Sequence, residues 1–79
     1  MHQVRAKFKV ISITRQGGWS GHKEVQVVKL SPVGGGSEEN AKFYAATPGG
    51  SIELSVVNET VGRHFDIGDE FYVDFTKAP

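Results

Sequence analysis

The chain has 79 residues, no cysteine, and nine basic against nine acidic residues, so its formal net charge is zero. A chain of this length forms a single domain, residues 1–79, and a domain this small buries only about 60% of the surface that its unfolded chain exposes. The lack of cysteine excludes a disulfide scaffold and thiolate metal sites. A protein that coats long nucleic acid usually carries a basic excess, so the neutral charge argues against that class.

The first predicted element is a strand over residues 4–15 whose apolar face changes side halfway. In its first half the apolar face consists of Val4, Ala6, Phe8 and Val10. After Val10 the alternation slips, because Ile11 and Ile13 occupy the face that was polar. The second predicted strand, residues 22–33, slips in the same way between Val27 and Val28. We expect one structural cause for both slips.

The hydrophobic pattern of these two strands predicts one hairpin register. If facing residue numbers sum to 38, the apolar pairs are Phe8 with Leu30, Val10 with Val28, Ile11 with Val27, and Ile13 with Val25. A one-residue slip exchanges the two faces of a strand, so the pattern selects this register. Both phase changes then coincide, which predicts a long hairpin, bulged or sharply bent at that corner. Its two halves would then bury opposite faces, as in a ribbon that closes a small barrel.

The segment between Ser37 and Thr47 is the plausible helix of the chain. Ser37 can cap its start, and two glutamates suit its first turn. Thr47, followed by proline and glycine, ends the helix after little more than two turns. A strand is the alternative for this segment, because Phe43 and Tyr44 favour extended structure.

Two further strands, residues 51–57 and 70–76, follow the helix. Their expected inward residues are Ile52, Leu54 and Val56 in the first, and Phe71, Val73 and Phe75 in the second. The predicted fold is mainly β (α+β), in the order β-β-α-β-β. We expect a small antiparallel β-barrel or tight sandwich with a long bent first hairpin and one short helix.

A basic stripe on the first strand is the first candidate binding surface. Its members are Arg5, Lys7 and Lys9. The predicted register sets Lys29 directly opposite Lys9, and like charges that face each other are mildly unfavourable. An anionic group is therefore expected nearby. It is either a bound ligand or the last strand, whose Glu70 and Asp74 would lie close if that strand paired with the first.

The predicted hairpin loop, residues 17–21, holds the single tryptophan, Trp19. Its flanking glycines leave the indole uncrowded, which suits stacking on a ligand ring or burial in a partner. His22 could add a hydrogen bond there. The alternative is a tryptophan that folds back as a lid on the open end of the barrel. Tyr72, outward on the last strand, is a further candidate stacking surface.

The sequence predicts no catalytic residue, metal or cofactor, and hence no enzyme. The acidic turn around Asp66, Asp69 and Glu70, beside His64, matches no cation-loop spacing, so a solvated turn is expected there. No nucleophile-elbow or phosphate-loop motif occurs. The N-terminal segment has no uninterrupted apolar run, so we expect a cytoplasmic protein without a membrane partner.

Three stretches of the chain carry a resemblance to a known family. They are VRAKFKVISIT near the start, GSEENAKFYAATPGGSIELSV in the middle, and FDIGDEFYVDFTKA near the end. In these stretches the chain resembles a family of small phage- and prophage-encoded proteins of unassigned function. The resemblance implies a bacteriophage protein that acts in the cytoplasm of the bacterial host cell, and it transfers no catalytic motif.

The favoured function is a non-enzymatic phage accessory protein that binds a nucleotide-like or other small anionic ligand, with sequestration of a host defence signal as its anti-defence role. The expected ligand-binding residues are Arg5, Lys7, Lys9, Trp19, His22, Lys29 and Tyr72. One alternative is a small barrel that binds single-stranded oligonucleotides. Another is a structural or interaction protein that docks through the Trp19 loop. A homo-oligomer is expected because the core is small.

Overall fold

The computed structural model describes residues 4–17, 24–57 and 62–79. Its elements are β1 (Val4–Gly17), β2 (Glu24–Pro32), α1 (Glu38–Ala46), β3 (Ile52–Val56) and β4 (Glu70–Phe75). The predicted order β-β-α-β-β is confirmed, and the structure is mainly β. The strands form one antiparallel sheet in the order β3-β2-β1-β4, curled into a half-barrel with β3 and β4 at its edges.

The predicted corner of the first hairpin is a β-bulge in β1. Val10 pairs with Leu30 and Ser12 pairs with Lys29, which leaves Ile11 as the extra residue. Being unpaired, Ile11 has a side chain that is 52% exposed. A bulge adds one residue to one strand and bends it, so its place at Val10 and Ile11 confirms the predicted bend. The prediction that the two halves bury opposite faces is wrong, because the extra residue returns Ile13 to the face of Val10.

The predicted register of that hairpin is wrong. Ile13 faces Val28 rather than Val25, and Lys9 faces Ser31 rather than Lys29. Partner numbers sum to 40 before the bulge and to 41 after it, so no single sum describes the pair. The bulge lengthens β1 alone, whereas the prediction assumed that the slips in β1 and β2 were the two sides of one corner.

Because of the bulge, Val10 and Ile13 lie on one face of the sheet although three positions separate them. We call this the inner face. Its buried cluster consists of Ala6, Phe8, Val10, Val28 and Leu30. Val25 and Val27 lie on the opposite, outer face, where they are 0% and 8% exposed. The change of phase in the apolar pattern of β2 therefore arises because β2 is buried on both faces, and β2 has no bulge of its own.

The inward faces of β3 and β4 agree with the predicted alternation. The predicted inward residues of β3 pair with inner-face residues of β2, and those of β4 pair with inner-face residues of β1. Burial is incomplete, however: Leu54 is 41% exposed and Phe75 is 55% exposed. Both lie on edge strands, which have a neighbour on one side only. Phe65, in the connection before β4, packs on Phe71 with ring centroids 5.3 Å apart.

The helix α1 confirms the predicted caps. The Ser37 hydroxyl accepts a hydrogen bond from the Asn40 backbone N–H at 3.0 Å, which satisfies one of the donors left free at a helix start. The Thr47 N–H donates to the Phe43 carbonyl at the other end. Asn40 is the buried residue of the helix, so part of the contact between the helix and the sheet is polar.

Deleting Ile11 tests the bulge. In the shortened strand Val10 would still face Leu30 and Ile13 would still face Val28, so we expect the fold to persist with a loss of about 1–3 kcal/mol. Deleting Lys29, on the unbulged strand opposite, exchanges Val28 with Val27 between the two faces and shifts the pairing of β2 with β3, so a larger loss of stability is expected. Cross-strand NOEs between Ile13 and Val28 measure the register. Equal loss of fold in both variants would contradict this interpretation.

Candidate functional site

On the outer face, acidic side chains of β4 neutralise part of the basic stripe on β1. Arg5 and Asp74 are direct cross-strand partners. Arg5 Nε donates to Asp74 Oδ1 at 2.6 Å, and Nη2 donates to Oδ2 at 3.0 Å. This two-bond geometry is the strongest form of an exposed ion pair. The hydrogen bonds from Arg5 lower the pKa of Asp74 below its ordinary value.

Lys7, the centre of the stripe, lies between two carboxylates and has a side chain only 12% exposed. Its Nζ is 3.3 Å from Glu39 Oε2 and 3.4 Å from Glu70 Oε1. Burial of the ammonium acts to lower the pKa of Lys7, but the two carboxylates outweigh it and the pKa is raised. Lys7 is thus a structural cation that is held charged.

The same carboxylates hold α1 on the outer face. The Tyr72 hydroxyl donates to Glu39, and Asn40 Nδ2 donates to Glu70 Oε2 at 3.0 Å. The Phe43 ring lies 5.9 Å from the Tyr72 ring. The hydrogen bond to Glu39 raises the pKa of Tyr72, and the same bond, followed by Lys7, lowers the pKa of Glu39.

The anionic groups expected beside the stripe were either a bound ligand or acidic residues of the protein. For Arg5 and Lys7 they are acidic residues of the protein. Sequence reasoning anticipated the partners Glu70 and Asp74, because both alternate outward on the last strand. It missed Glu39, although the acidic first turn of the helix was a visible signal of an acidic surface. Whether Arg5, Lys7 or Tyr72 also contacts a ligand stays a prediction.

Lys9 and Lys29 differ from the other two cations. Lys9 is exposed, and no ion pair joins it to another residue of the ranges that the structure describes. Lys29 Nζ lies 3.6 Å from Glu53 Oε1, and the two side chains are 54% and 60% exposed. Because Lys9 faces Ser31, two positions from Lys29, the two lysines are diagonal neighbours on the outer face, with Cβ atoms roughly 7 Å apart.

A groove of about 360 Å³ lies beside the bulge, and Lys29 is one of its lining residues. Its lining includes Ile11, Lys29, Ser31, Ser51, Ile52 and Glu53. The bulge exposes Ile11, and β2 and β3 present Lys29 and Glu53 as a facing pair. An ammonium, two hydroxyls and an apolar side chain are thereby brought to one concavity. Such a mixed lining is usual for small-molecule sites.

Two of the remaining candidates cannot be placed relative to this groove. Trp19 and His22 lie outside the residues that the structure describes, so the proposed use of the Trp19 loop stays a prediction. The acidic turn precedes β4, where the Asp69 N–H donates to the Asp66 carbonyl at 3.0 Å. In that turn Gly68 has a φ of +97°, a conformation that L side chains rarely adopt. Across the described ranges no three acidic, histidine or cysteine residues cluster as a metal site.

No protein-family model, curated protein or solved structure matches the chain. The resemblance to phage-encoded proteins therefore stays a prediction. In the described part of the chain, no helix has the length and apolarity needed to cross a membrane.

Tyr72 reports on the Glu39 hydrogen bond. Because this hydrogen bond raises the pKa of Tyr72, it contributes to the stability of the fold below the ordinary pKa of a phenol. The contribution is lost as the pH rises through the raised pKa. In a Tyr44→Phe background, we expect Glu39→Gln to lower the pKa of Tyr72, because an amide no longer repels the tyrosinate. Absorbance of the tyrosinate measures it. An unchanged titration would show that Glu39 does not hold the phenol in solution.

Proposed function

We propose that the protein is a non-enzymatic binding module that takes a small anionic ligand, nucleotide-like in size, in the groove beside Ile11. The observation that carries the proposal is the state of Lys29. It is the groove's cation, it stays more than half exposed, and its one carboxylate partner among the described residues is 3.6 Å away. That separation is too long for a direct hydrogen bond.

The Lys29 and Glu53 pair can be displaced at low cost. Exposed ion pairs contribute about 0–1 kcal/mol, because both side chains lose conformational freedom and water screens their charges. A phosphate or carboxylate seated in the groove could approach the ammonium to about 2.8 Å, where charge-assisted hydrogen bonds are strongest. Lys9, diagonal to Lys29, would add a second positive charge at the rim. The zero net charge is compatible, since a small anion needs only local cations.

The shape of the groove also favours a small ligand. About 360 Å³ falls in the lower part of the range of small-molecule sites, roughly 300–1,000 Å³. Ile11 offers an apolar surface for a flat ring, and the hydroxyls of Ser31 and Ser51 can donate to a phosphate or accept from a base. These groups come from β1, β2 and the start of β3, whose mutual pairing holds them in place.

The oligonucleotide alternative receives less support. Its expected stacking surface, Tyr72, is already engaged: Arg5 lies 4.9 Å above the ring and Lys7 lies 5.5 Å from it. Phe43 contacts the same ring, so a stacked base would have to displace groups that hold the helix. The phage origin and the sequestration of a host signal rest on the resemblance and remain part of this proposal.

Binding is tested by thermal shift and calorimetry with mono-, di- and cyclic nucleotides. A ligand at about 100 times its Kd stabilises the fold by about 2.7 kcal/mol, so a true ligand raises the Tm clearly. We expect Lys29→Met to weaken binding roughly tenfold to a hundredfold, the usual effect of losing a charged hydrogen bond. Glu53→Gln should tighten binding by up to roughly fivefold, because it removes a competitor for Lys29.

Lys42→Met on the exposed helix surface is the matched control, since it removes the same charge away from the groove. Equal binding by Lys29→Met and Lys42→Met would exclude the groove as the site. If no nucleotide raises the Tm, the proposed function is wrong. Binding of single strands that falls steeply with salt would instead favour the oligonucleotide alternative.

A further inference from the structure

Apolar side chains at one end of the inner face lie open to solvent. Val4 and Phe75 are cross-strand partners at the end of the β1 and β4 pair, and they are 67% and 55% exposed. They continue the buried row formed by Phe8, Ala6 and their partners, so the core runs out at the edge of the sheet. A partly exposed core beside an unpaired strand is where a second chain can add.

Among the described residues, no strand pairs with the outer edge of β4. Val10 N–H donates to the Asp69 carbonyl, and the Lys7 carbonyl accepts from Val33 on the other side of β1. Since hydrogen-bonded and non-hydrogen-bonded pairs alternate in an antiparallel ladder, the even residues of β1 bond towards β4 and the odd ones towards β2. In β4 the backbone groups of Glu70, Tyr72 and Asp74 consequently point away from β1.

We propose that a second copy of the chain pairs its β4 antiparallel to β4 about a two-fold axis at Val73. This dimer joins the two half-barrels into one eight-stranded sheet. In this register Tyr72 forms hydrogen-bonded pairs with Asp74 of the second copy, which uses the outward backbone groups of both. On the inner face, Phe75 faces Phe71 of the second copy, so the exposed aromatic edge meets an apolar partner.

Charge selects this register from its neighbours. An axis at Tyr72 would set Glu70 opposite Asp74 of the second copy, and an axis at Asp74 would set that residue opposite itself. Both place like charges face to face, which is unfavourable. With the axis at Val73 no two acidic residues of β4 face each other. Lys77 comes opposite Asp69 of the second copy, which adds an attractive pair.

A second copy also fits the composition of the edge and of the chain. β4 contains neither lysine nor proline, the residues that commonly protect an edge strand from pairing. Its outward acids are balanced by Arg5 and Lys7 of the same copy. The zero net charge means that two copies approach without overall repulsion. A domain of this size gains stability from any further apolar burial.

Because the chain has no cysteine, a single introduced thiol maps the axis. Across the proposed axis Val73 forms a non-hydrogen-bonded pair with Val73 of the second copy, with Cα atoms about 4.5 Å apart, within reach of a disulfide. We expect Val73→Cys to form covalent dimers under mild oxidation. Leu54→Cys, on the other edge strand, should stay monomeric on a denaturing gel.

Phe75→Lys gives a second measurement that does not depend on the thiol. Phe75 is already half exposed within one copy, so the variant should fold while its dimer dissociates at least tenfold more readily in light scattering and sedimentation. Leu54→Lys is the control and should leave the dimer unchanged. A monomeric wild-type chain at high concentration would overturn the proposal, as would dimers lost through Leu54→Lys alone. Lys29→Met should dimerise normally, so this result is separable from the nucleotide test.

Discussion

One extra residue in β1, Ile11, is the constraint on which the rest of the structure depends. It bends the strand that pairs with both β2 and β4, and it keeps Ile13 on the inner face after Val10. If Ile11 were instead paired as an ordinary strand residue, Ile13 would take an outer position and the inner cluster would end halfway along the strand. The same residue, being unpaired, supplies the exposed wall of the groove. The bulge thus shapes both the core and the candidate site.

Charge on the outer face is organised by position along β1. Arg5 and Lys7, beside β4, are held by carboxylates from β4 and the helix, whereas Lys9 and Lys29, beside the bulge, are exposed. Lys9 faces Glu70 of β4, but the carboxylate of Glu70 contacts Lys7 and Asn40 instead. The basic residues that look alike in the sequence therefore divide into two groups. Arg5 and Lys7 form the structural half, held in ion pairs within the protein, and Lys9 and Lys29 form the accessible half. The accessible half adjoins the groove, whose lining includes Lys29.

Local rules predicted much of this fold. The Ser37 cap, the strands and the bend at Val10 depend on neighbouring residues, and each is confirmed. The predicted register was wrong because a change of phase in the apolar pattern has two possible causes. One is a bulge, as in β1, and the other is a strand that is buried on both faces, as β2 is at Val27 and Val28. The contact between Glu39 and Lys7 was missed for another reason: it depends on where the helix docks, which residues far apart in the chain decide. The groove is a product of the same tertiary arrangement.

The two surfaces inferred from the structure lie at opposite edges of the sheet. The groove is formed where β2 and β3 meet, and the proposed dimer axis runs along β4. Between them stand β1 and β2, whose Val10 and Val28 are completely buried. A dimer through β4 would leave both grooves open and facing away from the axis. Two copies would then present two equivalent sites on one continuous sheet, so ligand occupancy would not require the interface to open.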